Sequence, residues 1–294
     1  MKVWLNGQIV DAKSAQISAL DASVQHGVGL FETLLARAGK PHRLGQHLER
    51  IAESARALGL SPKLDVDLLA EAVTQTIAAA GPGMLRVRLT ITGGDLNLLK
   101  PGQSAPPTGT VLITAQSATT YPEEFFARGV AVTLADHRLS PLDPTAGHKT
   151  INYWGRLRAL QEAGLKGAAE ALWFSITNHL MGGSVSNVFL VREGTLQTPI
   201  ARGEEQAGTM PSPVLPGITR QAVVEFAEEV NMRLEKRMLS INDLLAADEV
   251  FLTNSSWGVL PVVGVERESI GDGTVGPITR RLRQRWLEDF GDGR

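Results

Sequence analysis

Three short segments of the chain combine residue types and spacings that could do chemistry. In the first, Gly217, Ile218 and Thr219 follow a Leu-Pro pair and open a predicted helix. The unpaired N–H groups of a helix N-terminus attract an anion, and a glycine at that point lets a phosphate approach closely. The same three residues also fit an ordinary helix start.

The other two segments offer hydroxyl groups and an amine. The run Thr253-Asn254-Ser255-Ser256 comes directly after a predicted strand, where hydroxyl groups can donate to a phosphate, although a solvated turn has the same composition. Lys149 stands at a predicted loop-to-helix junction, and Tyr153, four residues on, would lie on the same helical face. A lysine amine so placed is a candidate nucleophile, and the alternative is a solvated surface lysine.

The elements that must position these segments begin with a hairpin and two helices. Residues 2–10 predict a hairpin that turns at Asn6-Gly7, because this pair supplies the positive φ values of a type I′ turn. Apolar residues at helical spacing predict helices over 45–58 and 65–80, and an apolar run predicts a buried strand over 110–116.

The strand predicted over 84–92 alternates apolar and polar residues, so Arg86 and Arg88 share its polar face. Residues 117–129 interrupt the pattern and form the predicted boundary between two lobes. The elements predicted beyond it begin with a strand over 130–136, a helix from Lys149 to about 163, and strands in ALWFSI and NVFLVREGTLQTP. A mobile surface loop is predicted over 201–213. It is followed by a helix from 217, a strand over 248–254 and a helix over 276–290. This order indicates an α+β fold.

Length, charge and composition exclude several classes of protein. The 294 residues predict about two domains. Lys plus Arg is 29 against 31 Asp plus Glu, and this balance argues against a nucleic-acid or membrane-surface binder, which needs a basic excess. The chain has no cysteine, which excludes disulfides, thiolate metal sites and a cysteine nucleophile, and no metal site is predicted. Without cysteine the redox compartment is undetermined, and a cytoplasmic location is only the default expectation. No signal peptide or membrane span is predicted.

Seven segments, taken in order, carry a resemblance across nearly the whole chain. They are Asp21, HGVGLFETLL (26–35), HLERIAESARALGL (47–60), KTINYW (149–154), SVSNVFLVREGTLQTP (184–199), LPGITR (215–220) and ADEVFLTNSS with the later PV (247–262). This ordered set resembles the class IV, or fold type IV, aminotransferases that depend on pyridoxal 5'-phosphate (PLP). The family includes branched-chain and D-amino-acid aminotransferases and 4-amino-4-deoxychorismate lyase.

The resemblance implies a role for each candidate residue. Lys149 would hold PLP as a Schiff base, and Arg50 matches the arginine that binds the cofactor phosphate, a task that suits its forked donors. Tyr153 matches a tyrosine placed against the cofactor 3′-oxygen. Phe31 would face the substrate pocket, and Arg86 or Arg88 would hold a substrate carboxylate unless both are surface arginines. The remaining implied phosphate and cofactor contacts are Gly217, Ile218, Thr219, Ser255 and Ser256.

The resemblance also implies a two-lobed architecture. We expect a small N-terminal α/β lobe over 1–118, a linker over 119–129, and a larger β-rich lobe with helices over 130–294 that carries the cofactor lysine. Because the relatives are homodimers, a homodimer is expected here as well.

One departure from the family pattern bears on the activity. Relatives read Glu-Gly-x-x-x-Asn before the strand at 187, and that glutamate pairs with the pyridine nitrogen; here Gly182 stands in its place. A carboxylate there strengthens the ring as an electron sink. Another group or water could replace it, the reaction could need a weaker sink, or catalysis could be lost. Glu170 and Glu193 are expected to lie too far along the chain to substitute.

Three functions therefore remain open. The first is transfer of an amino group between a small amino acid and a 2-oxo acid through Lys149 and PLP. The second is a PLP-dependent lyase that releases pyruvate from 4-amino-4-deoxychorismate. The third is a catalytically weakened or non-catalytic ligand-binding homologue, which the glycine at 182 favours and the retention of Lys149 and Arg50 disfavours.

Overall fold

The computed structural model describes residues 1–61, 64–95 and 109–291. The chain folds into two compact units. Unit 1 comprises Met1–Thr119 and His148–Asn152, and unit 2 comprises Thr120–Gly147 and Tyr153–Arg294. Residues 148–152, which were expected in the second lobe, belong to unit 1 because their backbone hydrogen-bonds to a strand of that unit.

Unit 1 is built on a six-stranded antiparallel sheet with two longer helices. The sheet has the order β2-β1-β6-β5-β3-β4. Its elements are β1 (Lys2–Leu5), β2 (Gln8–Asp11), α1 (Ala22–His26), β3 (Gly29–Arg37), β4 (Lys40–Pro41), α2 (Leu44–Ala57), α3 (Val66–Ala80), β5 (Met84–Thr92) and β6 (Val111–Ser117). Apolar side chains of α2 and α3 pack on one face of the sheet, with Ile51, Val73, Val87 and Ile113 among the buried residues.

Unit 2 is built on a nine-stranded mixed sheet. Its main path runs β12-β11-β10-β13-β14-β7-β8-β9, and β15 pairs with β14. Its elements are α4 (Glu123–Ala127), β7 (Val130–Leu139), α5 (Trp154–Leu165), β8 (Glu170–Ser175), β9 (Leu180–Gly183), β10 (Asn187–Arg192), β11 (Thr195–Thr198), α6 (Ile218–Glu229), β12 (Leu234–Lys236), α7 (Ile241–Leu245), β13 (Glu249–Asn254), β14 (Gly258–Val265), β15 (Glu268–Ser269) and α8 (Pro277–Asp289). The mixed α/β architecture confirms the predicted fold class.

Most predicted elements are confirmed, but one near the candidate lysine is wrong. The hairpin turns at Asn6 and Gly7, which both have positive φ, and α2, α3, β5 and β6 lie where the pattern predicted them. The predicted helix from Lys149 begins only at Trp154. Lys149 and Thr150 are instead extended, and Thr150 forms a β-bridge with Leu30. Helical spacing therefore does not relate Lys149 to Tyr153.

Candidate active site

Helix α2 presents a buried polar stripe beside its apolar face. His47, Arg50 and Ser54 are spaced by three and four residues, so they lie on one side of the helix, and all three are buried. Arg50 donates two hydrogen bonds to Glu32 of β3, from Nε to Oε1 at 2.8 Å and from Nη2 to Oε2 at 2.6 Å. His47 Nδ1 lies 2.7 Å from Glu32 Oε2. A buried arginine is thus fixed in one orientation by a carboxylate.

The charge states of this cluster follow from burial and pairing. Burial would raise the pKa of Glu32, but the charge of Arg50 and the hydrogen bonds from His47 and Arg50 lower it to about 2. Burial lowers the pKa of His47, and the positive charges of Arg50 and Lys149 lower it further, against the opposing effect of Glu32. The cluster therefore consists of an ionised Glu32, a charged Arg50 and a neutral His47 at neutral pH.

Unit 1 should lose stability at acid pH because of this pair. The pKa of Glu32 is lower in the folded chain, about 2, than its ordinary value of 4.5, so its contribution is present above pH 4.5 and is lost as the pH falls towards 2. Urea unfolding from about pH 6 to about pH 3 should show a falling free energy, and Glu32→Gln should flatten that slope. The exposed Glu49→Gln on the same helix is the control; equal slopes in both variants would contradict the assignment.

The candidate lysine lies on a short segment that extends the edge of β3. The N–H of Phe31 donates to the carbonyl of Lys149 at 2.9 Å, and the N–H of Ile151 donates to the carbonyl of Gly29 at 3.0 Å. Because paired strands place opposite residues on the same face, Lys149 projects on the Phe31 side. Its Nζ lies 4.5 Å from the centroid of the Phe31 ring.

Phe31 also distinguishes the two predicted carboxylate-binding arginines. Arg88 is half-buried, and its guanidinium carbon lies 3.8 Å from the centroid of the Phe31 ring. Arg86 is exposed and lies opposite Leu35, farther along β3. Glu32 follows Phe31 in the strand and therefore faces the other side, towards α2. One face of the sheet thus displays an amine, an aromatic ring and a guanidinium together.

In unit 2, the N-terminus of α6 has the features of an anion site. Gly217 is the N-cap residue and makes no side-chain capping bond. A Cβ at Gly217 would overlap the amide oxygen of Asn187, so a larger residue there would have to displace that side chain. Thr219 is buried in the first turn. Thr253, opposite Asn187 across β10 and β13, is buried, and its Oγ1 has no hydrogen-bond partner among the described residues.

The serines predicted beside this site lie in a turn built by Asn254. The Asn254 side-chain oxygen accepts from the N–H of Ser256 at 2.8 Å and from the N–H of Trp257 at 3.0 Å. Ser255 and Ser256 are half-exposed in that turn, directly after β13. A solvated turn and a source of hydroxyl donors are therefore compatible interpretations, because the same turn can leave both serine hydroxyls accessible.

The loop at 201–213, predicted as a mobile surface loop, is anchored along its length. Arg220, which is 1% exposed, donates to both carboxylate oxygens of Glu204 at 2.9 and 2.7 Å. Burial would raise the pKa of Glu204, but the hydrogen bond and charge of Arg220 and a bond from Lys236 lower it to about 2. Arg202 donates to the carbonyl of Ala146 at 3.0 Å. The loop is thus tied to the first turn of α6.

Glu170 was expected to be too far along the chain to substitute at position 182, but the fold brings its carboxylate to the residues that follow Gly182. Strands β8 and β9 pair Trp173 with Gly182, and the buried Glu170 carboxylate accepts from the N–H groups of Ser184 and Val185 at 3.0 and 3.2 Å. Burial raises the pKa of Glu170, although these donors oppose the shift.

Glu170 nevertheless does not occupy the place of a side chain at 182. A Cβ on Gly183 would meet the Glu170 carboxyl carbon at 2.9 Å, whereas a Cβ on Gly182 would meet the carbonyl oxygen of Ser186 at 2.8 Å. Because neighbouring residues of a strand face opposite sides, the carboxylate lies on the wrong face of β9.

The backbone at Gly182 also resists any side chain. Its φ is +140°, a conformation that L residues rarely adopt, and the space is closed by Ser186. We expect Gly182→Ala and Gly182→Glu to destabilise the chain by about 1–3 kcal/mol through overpacking and strain. Gly83→Ala is the control, because its φ is +121° but the space around it is open. Equal unfolding free energies for Gly182→Ala and Gly83→Ala would show that the Ser186 contact is unimportant.

Tyr153 is the N-cap residue of α5 and is half-buried. The guanidinium of Arg156, one turn on, lies 5.7 Å from the Tyr153 ring and 5.5 Å from the Trp173 ring. Arg156 Nη1 donates to the carbonyls of Gly183 and Ser184 at 3.1 and 3.2 Å. The tyrosine is therefore held beside the strand that contains Gly182.

These groups fit a phosphorylated aromatic aldehyde such as PLP. Such a molecule needs an amine for its aldehyde and donors for its phosphate. Within unit 1, Lys149 offers an amine and Arg50 a forked guanidinium. Within unit 2, the N-terminus of α6 offers backbone donors, and the buried Thr253 hydroxyl has no hydrogen-bond partner among the described residues. Each unit thus carries groups of the kind that PLP chemistry requires.

Comparison with known proteins gives the family. The model of amino-transferase class IV matches residues 29–265, and the chain belongs to this family, which confirms the resemblance. Class IV aminotransferases depend on PLP, so PLP is the cofactor and the protein is an enzyme, an aminotransferase or a related lyase. Among residues 1–61, 64–95 and 109–291, no helix is long and apolar enough to cross a membrane.

Three relatives represent the two branches of the resemblance. A putative branched-chain-amino-acid aminotransferase of Methanocaldococcus jannaschii is 28% identical over 98% of this chain and 96% of its own. The structure of the branched-chain amino acid aminotransferase of Escherichia coli has a TM-score of 0.88 at 26% identity and covers 100% and 96% of the two chains. The structure of 4-amino-4-deoxychorismate lyase from Pseudomonas aeruginosa has a TM-score of 0.82 at 31% identity and covers 99% of both chains.

Four structural residues were not predicted as parts of the site. Glu32 stands inside the apolar run GLFETLLA, and an acidic residue in such a run is a signal for a buried charge pair. Ser54, Glu170 and Glu204 gave no comparable signal, because their partners His148, Ser184 and Arg220 are remote in sequence.

Proposed function

We propose that the protein transfers an amino group between a small amino acid and a 2-oxo acid, with Lys149 as the covalent attachment point of PLP. The observation that carries this proposal is the placement of the Lys149 amine over Phe31, on the same face as Arg88. An amine that takes part in both attachment and proton transfer needs a fixed backbone, and the hydrogen bonds to β3 supply one.

The roles of the other residues follow from their chemistry. Arg50, held by Glu32, would bind the phosphate, together with the backbone N–H of Ile218 and the hydroxyls of Thr219 and Ser255. Gly217 gives that phosphate close access, and Ser256 lies in the same turn as Ser255. Tyr153 would donate to the 3′-oxygen of the cofactor. These assignments are supported by the donor chemistry of the α6 N-terminus and the buried guanidinium.

Lys149 would also move the proton in the reaction. PLP, when bound, supplies the electron sink for a carbanion at the substrate Cα. The Lys149 amine, free once the substrate amine has taken its place, would be the base that accepts the proton from the substrate Cα and holds it for return. The overall transfer would convert the donor amino acid to a 2-oxo acid and a second 2-oxo acid to an amino acid. The absence of a side chain at Gly182 predicts a weaker electron sink and a slower reaction than in relatives with a glutamate.

Arg88, and not Arg86, is the proposed carboxylate contact. Its half-buried guanidinium lies over Phe31, where a charged hydrogen bond is worth about 1.5–3 kcal/mol. Arg88→Gln should therefore lower kcat/KM for the amino acid about 10- to 100-fold, mainly through KM. Arg86→Gln, which removes an exposed guanidinium from the same strand face, should change it less than about 2-fold. Equal effects of both substitutions on kcat/KM, measured by steady-state kinetics, would refute the assignment of the carboxylate contact to Arg88.

A specific observation favours a second candidate, the lyase. The 31% identity with the Pseudomonas aeruginosa 4-amino-4-deoxychorismate lyase extends over 99% of both chains. In that reaction Lys149 would act on 4-amino-4-deoxychorismate, and pyruvate would leave without any 2-oxo acid acceptor. Pyruvate release from this substrate by PLP-loaded protein, with no amino transfer from any amino acid, would select the lyase.

We also propose a homodimer on the basis of the family. The test is sedimentation equilibrium of the PLP-loaded protein, which should give twice the 31.5 kDa mass of one chain. A mass equal to one chain would refute the dimer.

A further inference from the structure

The polar stripe of α2 reaches beyond Glu32 to the segment that carries the candidate lysine. Its third member, Ser54, is 5% exposed, and its Oγ is hydrogen-bonded to Nδ1 of His148 at 2.9 Å. His148 immediately precedes Lys149. The helix that holds Arg50 through Glu32 therefore also holds the residue beside the lysine.

The backbone contacts of this segment alone define its register weakly. Two backbone hydrogen bonds join residues 149–151 to β3, those of Phe31 and Ile151. Side chains alternate across a strand, so a shift by one residue would exchange the faces of His148 and Lys149. Short edge pairings with few bonds are prone to such slips. An additional contact on one face would fix the register.

The Ser54–His148 hydrogen bond has the geometry of that contact. His148 projects towards α2, the side of Glu32, while Lys149 projects towards Phe31, because adjacent residues face opposite sides. A slip would bring the Lys149 ammonium to the side of Arg50 and lose the Ser54 bond. Like charges at a buried site are unfavourable, so charge and hydrogen bonding favour the same register.

We propose that Ser54 and His148 are positioning residues that fix the Lys149 amine on the Phe31 face. The inference rests on the proposed function, in which Lys149 holds PLP. It assigns to α2 a second task besides the orientation of Arg50: the same helix sets the register of the lysine segment. Neither residue needs to touch the substrate or the cofactor.

The first test uses the protein without cofactor. Amide hydrogen exchange at Phe31 and Ile151 reports the two backbone bonds of the segment, and the amide of Leu89 in the same sheet is the internal reference. Ser54→Ala and His148→Leu should each accelerate exchange at Phe31 and Ile151 at least about 10-fold relative to Leu89. The control is Thr76→Ala, which removes a buried hydroxyl that bonds to the carbonyl of Ala72 on α3. Thr76→Ala should leave the exchange rates at Phe31 and Ile151 relative to Leu89 unchanged.

The second test uses the PLP-loaded protein. The visible circular dichroism of the cofactor band, per unit absorbance, should fall to less than about half in Ser54→Ala and in His148→Leu. The double variant should fall no further, because either substitution already removes the bond. Thr76→Ala should retain the wild-type signal, which separates positioning from general destabilisation.

The outcomes distinguish this inference from the proposed function. Borohydride reduction of the wild-type protein and peptide mapping must first locate PLP on Lys149; attachment to another lysine would overturn both. If PLP is on Lys149 and the exchange ratio and dichroism of both variants equal those of the wild type, the positioning role is overturned and the proposed function stands.

Discussion

Lys149→Ala should abolish borohydride trapping of PLP and lower the rate of amino transfer by at least about 10²–10⁴-fold. The substitution removes the only amine that the sheet edge of β3 presents over Phe31 among the described residues, and with it the group proposed to attach the cofactor and to carry the proton. The measurement is mass spectrometry of the reduced protein, combined with single-turnover kinetics. No change in the fold is expected, because the segment is joined to β3 by its backbone.

Two controls make this result specific. Lys149→Arg keeps a positive charge near Phe31 but cannot attach an aldehyde in the same way, so it should fail as completely as alanine. Lys40→Ala removes an exposed lysine from β4 of the same unit and should behave as the wild type. A trapped adduct of unchanged yield in Lys149→Ala would refute the role of this lysine.

Glu32→Gln should destabilise the chain by about 3–5 kcal/mol and weaken PLP binding at the same time. Arg50 is nine-tenths buried and bidentate to Glu32, so removal of the carboxylate charge leaves a buried cation without compensation. The loss should exceed what a surface pair would give, which is at most about 1 kcal/mol. Urea unfolding measures the stability, and titration with PLP measures the affinity.

A double variant separates the effect of the Glu32–Arg50 ion pair on stability from the effect of Arg50 on PLP binding. Glu32→Met with Arg50→Met replaces the ion pair by apolar side chains and should recover much of the stability, since such replacements are often neutral. It should not recover PLP affinity, because the proposed phosphate donor is gone. Recovery of both would mean that Arg50 does not bind the phosphate, and a loss below about 1 kcal/mol in Glu32→Gln would mean that the pair is not structurally important.

The elements with strong local patterns could be predicted from the sequence, and those defined by remote partners could not. Helix α2 and strand β5 have clear periodicities, so their bounds were predicted within a few residues. Strand β3 was not predicted, because its run GLFETLLAR is neither alternating nor uniformly apolar. The interruption is Glu32, whose burial is understandable only with Arg50 and His47 beside it.

The candidate site shows the same division. The resemblance predicted residue identities such as Lys149 and Arg50, but the conformation of the lysine segment was predicted wrongly, since Leu30 and not the following helix determines it. Separation along the chain was likewise a poor guide to the position of Glu170, because the pairing of β8 with β9 brings its carboxylate into contact with Ser184, 14 residues further on. The lack of a carboxylate at position 182 could be predicted from the sequence alone. The carbonyl oxygen of Ser186, which leaves no space for a side chain at Gly182, could not.

The central claim is that this chain uses Lys149 and PLP to remove an amino group from an amino acid. A single-turnover titration of PLP-loaded protein with a panel of amino acids, in the absence of any 2-oxo acid, tests it most directly. The account predicts loss of the visible cofactor band and release of one equivalent of 2-oxo acid per chain for at least one amino acid. An unchanged spectrum with every amino acid, or pyruvate released only from 4-amino-4-deoxychorismate, would contradict it.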